Sequence, residues 1–121
     1  MAEITNSKRY DLEERTFQFA KRIALFCKQL PKSISNIEYT KQTVRASGST
    51  GANYIEANES LSKKDFLMRT KICRKEAKES DYWLRLIIET NEEKFYIEGK
   101  SLSEEAIALK KIFSSIIENS R

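Results

Sequence analysis

Five basic side chains, Lys71, Arg74, Lys75, Lys78 and Arg85, fall at spacings of three, one, three and seven residues. At roughly 100° per residue they share an arc about 100° wide on one helix face, and Tyr82 lies on the same side. A row of cations with an aromatic among them suits a phosphate backbone: the cations release condensed counterions, and the ring offers a stacking surface. The same pattern also describes a solvated helix face, because long Lys and Arg stems often cover bundle surfaces. The stretch from Ser62 to Glu89 holds eight basic and five acidic residues, and residues 1–35 hold seven and four. The chain's excess positive charge therefore sits in its first and third segments.

A second constellation lies upstream. Arg45, Ser49, Ala52 and Glu56 are four, three and four residues apart, with Asn53 at the edge of the same face. Periodicity expects that face to pack inward. A buried arginine must then be paired, and Glu56 or Glu79 could pair it. Such a group is either a polar network that fixes helix register, or a polar pocket or subunit junction.

What the chain lacks argues against other chemistry. It contains no histidine, which removes the commonest general base, the Ser and Cys triads and most zinc sites. A Glu-x-x-His di-iron motif is impossible for the same reason. Gly48 and Gly51 match neither the Walker nor the dinucleotide spacing. Cys27 and Cys73 fit no CxxC motif and fall on apolar faces, as reduced buried thiols do. The expectation is a protein that is not an enzyme and that holds no cofactor and no metal.

The elements that must position these residues are helical. The 121 residues include three glycines and one proline, with 33% charged and 40% apolar side chains. That balance suits helices with one buried stripe each and a charged outer face. Four segments carry the pattern: about 11–30, 36–59, 62–89 and 103–119.

In the first segment Leu12, Thr16, Phe19, Ala20, Ile23, Phe26, Cys27 and Leu30 share a face, and Pro31 ends it. Phe17 and Leu25 fall off this stripe and could meet another subunit. In the second, Asn36 or Ser35 is the expected N-cap. Helix is expected to continue through Gly48 and Gly51, because Val44 and Ile55 stay in phase three turns apart. Small residues there would also let a neighbouring helix approach.

In the third, Ser62 caps and Phe66, Cys73, Ala77, Ser80, Leu84, Ile87 and Ile88 form the stripe. Asn91 to Lys100 reads as a connection, whose Phe95, Tyr96 and Ile97 could fold over the bundle end. Ser103 reads as the cap of the fourth, with Leu109, Ile112, Phe113, Ile116 and Ile117 inward. Short connections favour antiparallel neighbours, so the predicted fold is all-α: a single domain over residues 1–121, an antiparallel up-and-down four-helix bundle.

Met1 to Tyr10 is polar and charged, without the apolar core of a secretory leader, and no run of about 18 apolar residues could span a membrane. With two free thiols, the expected location is the cytoplasm. The net charge of +4 and pI near 9.1 permit nucleic-acid binding without demanding it.

These residues also carry a family pattern. Gln42-Thr-Val-Arg45-Ala-Ser-Gly-Ser49-Thr-Gly-Ala-Asn53-Tyr-Ile-Glu56-Ala resembles the helix-two signature of the four-helix-bundle family of the 23S ribosomal RNA intervening-sequence proteins. Leu30-Pro31, Ser62-Lys-Lys-Asp65-Phe66, Lys75-Glu-Ala-Lys-Glu79-Ser-Asp-Tyr-Trp83-Leu and the opening Asp11-Leu12-Glu13-Glu14-Arg15-Thr-Phe17 fit as well. Ala57, where the family often has Gly, and glycines at 48 and 51 are departures.

The resemblance implies an antiparallel four-helix bundle of a family whose members tend to assemble as ring-like homopentamers and for which no enzymatic activity is established. A similar protein is the accessory subunit of diversity-generating retroelements, which binds a reverse transcriptase and nucleic acid through a basic surface. Two roles follow as expectations. One is an oligomer that binds RNA or DNA through Lys71, Arg74, Lys75, Lys78 and Arg85. The other is a scaffold or accessory subunit for a protein partner such as a reverse transcriptase.

Overall fold

The computed structural model describes residues 6–120, with side chains described over residues 11–120. Met1 to Thr5, part of the N-terminal stretch read above, lie outside the described residues. Among the described residues there are four α-helices and no strand: α1 (Asn6–Lys28), α2 (Ile34–Asn58), α3 (Lys63–Thr90) and α4 (Tyr96–Ser120), with a 3₁₀ turn at Glu93–Phe95 before the last. Each helix packs on its chain neighbours and α4 closes back on α1, with the α2/α3 and α3/α4 interfaces the most extensive. Short turns between long helices make this the antiparallel four-helix bundle that the periodicity predicted.

α1 begins earlier than expected, because its first turn is polar and carries no apolar stripe to mark it. It closes in a tight last turn in which Leu30 N–H donates to Cys27 C=O at 3.2 Å. The buried face holds the predicted Leu12, Thr16, Phe19, Ile23, Phe26, Cys27 and Leu30, while Ala20 of the same stripe is half-buried.

α2 is capped by Ser33, not by Ser35 or Asn36: the Ser33 hydroxyl accepts the Asn36 N–H at 3.1 Å. Asn36 is instead buried and exchanges amide hydrogen bonds with Asn91, which ends α3. Asn36 Nδ2 donates to Asn91 Oδ1 at 2.8 Å, and Asn91 Nδ2 donates to Asn36 Oδ1 at 2.9 Å.

The helix runs unbroken through both glycines. Their roles differ. A Cβ on Gly51 would lie 3.0 Å from Thr16 Oγ1, so α1 crosses close there, whereas Gly48 has nothing within 4 Å. Val44 and Ile55 are in phase with each other yet exposed, at 41% and 50%. The inward face of α2 is made of Thr43, Ala46, Ser47, Thr50, Tyr54 and Ala57. The buried hydroxyls of Thr43, Ser47 and Thr50 donate to carbonyls of their own helix, at 2.6, 3.2 and 2.9 Å. Burying them leaves no donor orphaned.

α3 buries Phe66, Cys73, Ala77, Ser80, Leu84 and Ile87 of its predicted stripe, with Ile88 half-buried, and Ser62 accepts the Asp65 N–H at 3.1 Å. α4 departs from expectation at its start. The predicted connection over Asn91 to Lys100 is only a 3₁₀ turn, and the helix begins at Tyr96. Gly99, a loop marker in the sequence, is a buried helical residue whose missing Cβ would sit 2.7 Å from Ile88 Cγ1. Ser103 is no cap; it lies mid-helix, buried, and its hydroxyl donates to Asp81 on α3. Of the apolar patch expected over the bundle end, Phe95 is buried, edge-on to Phe26 with centroids 6.3 Å apart, while Tyr96 and Ile97 stay exposed.

Arg15 on α1 forms a two-point pair with Glu105 on α4, at 2.7 and 2.8 Å. Arg22 reaches Glu98 and Ser101, at 3.2 and 2.9 Å. These ties bridge the α1/α4 edge.

Candidate nucleic-acid interface

α3 turns its stripe into the core and so presents the opposite face to solvent. Lys71, Lys75, Lys78 and Arg85 are exposed there, and Arg74 is half-buried at the edge. None of the five makes an ion pair or a side-chain hydrogen bond among the described residues. Exposed Lys64 stands one seven-residue step before Lys71 and extends the row toward the start of the helix. It was missed in the five-residue reading, although the repeat Lys64, Lys71, Lys78, Arg85 is visible in the sequence. Two turns per step place these cations about 10.5 Å apart along the axis. Glu89 closes the far end of the row, and the nearby carboxylate Asp81 is engaged by Ser103.

Tyr82 lies within the row and is 54% exposed. Its ring packs edge-on against Trp83, with centroids 5.1 Å apart and planes at 80°. Trp83 in turn lies against Tyr39 of α2 at 6.0 Å, and its indole N–H donates to Glu79 at 3.3 Å.

Glu79 belongs to the second constellation. Arg45 pairs with Glu79 as predicted, and also with Glu76, which the sequence reading did not propose. Glu56, the other expected partner, is exposed and outside the network, as is Ala52. Arg45 itself is half-exposed, so this face lies at the flank between α2 and α3 and not in the core.

Glu76 is 6% exposed and accepts from Arg45 Nη1 at 3.2 Å and from Ser49 Oγ at 3.1 Å. Asn53 Nδ2 donates to Ser49 Oγ at 2.9 Å, and Arg69 of α3 donates to Asn53 Oδ1 at 3.1 Å. Arg45, Ser49, Asn53, Arg69, Glu76 and Glu79 thus form one continuous network across the α2/α3 interface. Burial pushes the Glu79 carboxyl up, but the Trp83 N–H and the Arg45 guanidinium outweigh it and hold the group below its ordinary value. The same two carboxylates, Glu76 first, raise the Arg45 pKa.

Among the described residues no three metal-ligating side chains cluster, and no helix is long and apolar enough to cross a membrane. Cys27 and Cys73 are free and buried. A groove between the end of α1 and the start of α2 has an apolar floor that includes Ala24, Leu30, Ile37 and Val44, with Lys28, Lys32 and Lys41 at its rim.

The whole arrangement has relatives. The family model described as 23S rRNA-intervening sequence protein matches residues 8–115. A crystal structure of a protein with unknown function from the S23 ribosomal protein family of Bacteroides thetaiotaomicron is similar to this chain at 31% sequence identity, with a TM-score of 0.75. That match covers 88% of this chain and 97% of the other. None of the curated proteins matches.

Proposed function

The chain belongs to the 23S rRNA-intervening sequence protein family, and from that premise we propose that it is a non-enzymatic, self-associating bundle that binds RNA through the exposed face of α3. The observation that carries this reading is the exposed row Lys71, Lys75, Lys78 and Arg85, with Arg74 at its edge and, among the described residues, no ion pair on any of them. A cation already paired within the fold has its field offset and its donors engaged, whereas these can face a phosphate directly. Contacts would be to the backbone, so binding is salt-sensitive and weakly sequence-specific.

Self-association draws support from a different surface. Ile37, Val44 and Ile55 line one side of α2, and Phe17 is exposed on α1. Exposed apolar residues in register along a helix mark a contact surface. A homopentamer, as the resemblance implies, would repeat the basic face five times, and linked weak contacts would multiply into avidity. Both thiols being free fits a reducing cytoplasm.

The test is RNA retention by the purified, nuclease-treated protein across a salt series, with its mass in solution measured on the same sample. Each single-strand phosphate contact contributes a log–log salt slope of about −0.7. Lys71→Glu with Lys78→Glu abolishes retention while leaving the helical signal intact. Unchanged retention in that folded double variant would remove the site from α3.

A second reading, a scaffold or accessory subunit for a nucleic-acid enzyme such as a reverse transcriptase, is favoured by the apolar groove between α1 and α2. A protein partner that stays bound through nuclease treatment and high salt would select it over direct RNA binding.

A further inference from the structure

We propose that Tyr82 is a stacking platform for an unpaired RNA base, with Lys75, Lys78 and Arg85 holding the phosphates around it; this deepens, and rests on, the basic-face reading above. Tyr82 is the exposed aromatic of that face. On the helix surface Lys78 is one turn before it and Arg85 one turn after, while Lys75 lies two turns before. Backbone-binding cations around a ring are the elements with which single strands are held.

The convex surface of a helix decides which form of RNA can use the ring. Bases in a duplex are already stacked on both faces, and the deep, narrow major groove of A-form RNA hides their edges. A ring standing on an open helix face meets a base only where the strand is unpaired: a loop, a bulge or an end. Cations alone would not discriminate in this way, since both forms carry phosphates.

Tyr82 is also held in place for the task. Its ring abuts Trp83 edge-on, Trp83 is clasped by Tyr39 and by the Glu79 carboxylate, and Glu79 is fixed by Arg45. An unconstrained surface side chain loses rotamer freedom on binding, and a pre-packed ring loses less. The polar residues of the helix-two signature thereby brace a ring on the outer face of α3. This gives them a task beyond joining two helices.

The experiment uses the full chain and three RNA probes of equal length: a single strand, the same strand fully duplexed, and an abasic strand of the same sugar-phosphate. Trp83 is the sole tryptophan, so its fluorescence reports on the ring beside it.

The wild type is expected to prefer the single strand over the abasic strand by on the order of tenfold, the scale of one base stack, with a change in Trp83 emission. Tyr82→Ala removes that preference while still binding the abasic strand, and Tyr82→Phe keeps it. Equal affinity of the wild type for the single and abasic strands, or a preference that persists in Tyr82→Ala, overturns the platform and leaves the basic face standing. Failure to bind any probe, or binding untouched by Lys71→Glu with Lys78→Glu, overturns the basic-face reading and the platform with it.

Discussion

Arg45 of α2 donates to the buried carboxylate of Glu76 on α3 at 3.2 Å, although its own side chain is 49% exposed. The pair is asymmetric: water can solvate the cation, but the anion depends on Arg45 and Ser49.

Removing the cation should therefore cost more than its exposure suggests. Arg45→Ala is expected to lower stability by about 1–2 kcal/mol, the scale of an under-satisfied buried acceptor discounted for partial solvent access. Glu56→Ala, on the exposed end of the same signature, should stay within about 0.5 kcal/mol. Urea denaturation midpoints decide; equal losses in the two variants would contradict the network.

The glycines separate cleanly. Gly99→Ala should destabilise by about 1–3 kcal/mol through overpacking against Ile88 and Phe26, more than offsetting the gain of about 1 kcal/mol in helix propensity. Gly48→Ala meets no atom within 4 Å and should gain up to about 1 kcal/mol. Opposite signs in thermal or chemical denaturation are the expected result.

Burial pushes the Cys73 thiol up to about 12, and burial likewise raises Cys27. A raised thiol pKa stabilises the fold fully below the unfolded value of about 8.5. That contribution is lost as the pH climbs through the folded value. Mass spectrometry after iodoacetamide treatment in mildly alkaline buffer should find both thiols unmodified in the native protein and both alkylated in guanidinium. Rapid native labelling of Cys73 would contradict its placement.

Glu79 behaves in the opposite sense. Its folded pKa lies below the ordinary carboxylate value, so its contribution is present above the unfolded pKa of about 4.3. It disappears as the pH falls through the lower, folded value. The stability difference between wild type and Glu79→Gln should therefore shrink on acidification. A difference that is flat with pH would mean the carboxylate is not held by Trp83 and Arg45.

Val44→Glu places a charge in the exposed apolar line of α2. On the proposed self-association, light scattering should find the variant's particle mass reduced toward that of one 14.1 kDa chain, with helicity unchanged. An oligomer that survives the substitution would move the contact surface elsewhere.

Three helices were legible because their apolar residues repeat at the helical period over long stretches, as Phe66, Cys73, Ala77 and Leu84 do. α2 misled on its orientation because its inward residues are Thr43, Ser47 and Thr50. Periodicity reads hydroxyls as outward, whereas these satisfy themselves on their own backbone. Gly99 misled on the start of α4, since a glycine kept for close helix approach looks the same in sequence as one kept for a turn. The basic face was readable in full from spacing, and Lys64 with it. Glu76 was not chosen because a glutamate between alanine and lysine carries no sign that it is buried; only the facing Arg45 and Ser49 reveal it.

The reciprocal amide pair of Asn36 and Asn91 joins the two chain reversals at one end of the bundle. Asn36 also donates to the Pro31 carbonyl at 2.9 Å, and Asn91 to that of Ile87 at 2.9 Å. Neither reversal can open without breaking bonds of the other, so that end of the molecule frays as one cooperative unit. Amide hydrogens around the start of α2 and the end of α3 should then exchange with a shared opening free energy, despite a separation of 55 positions along the chain.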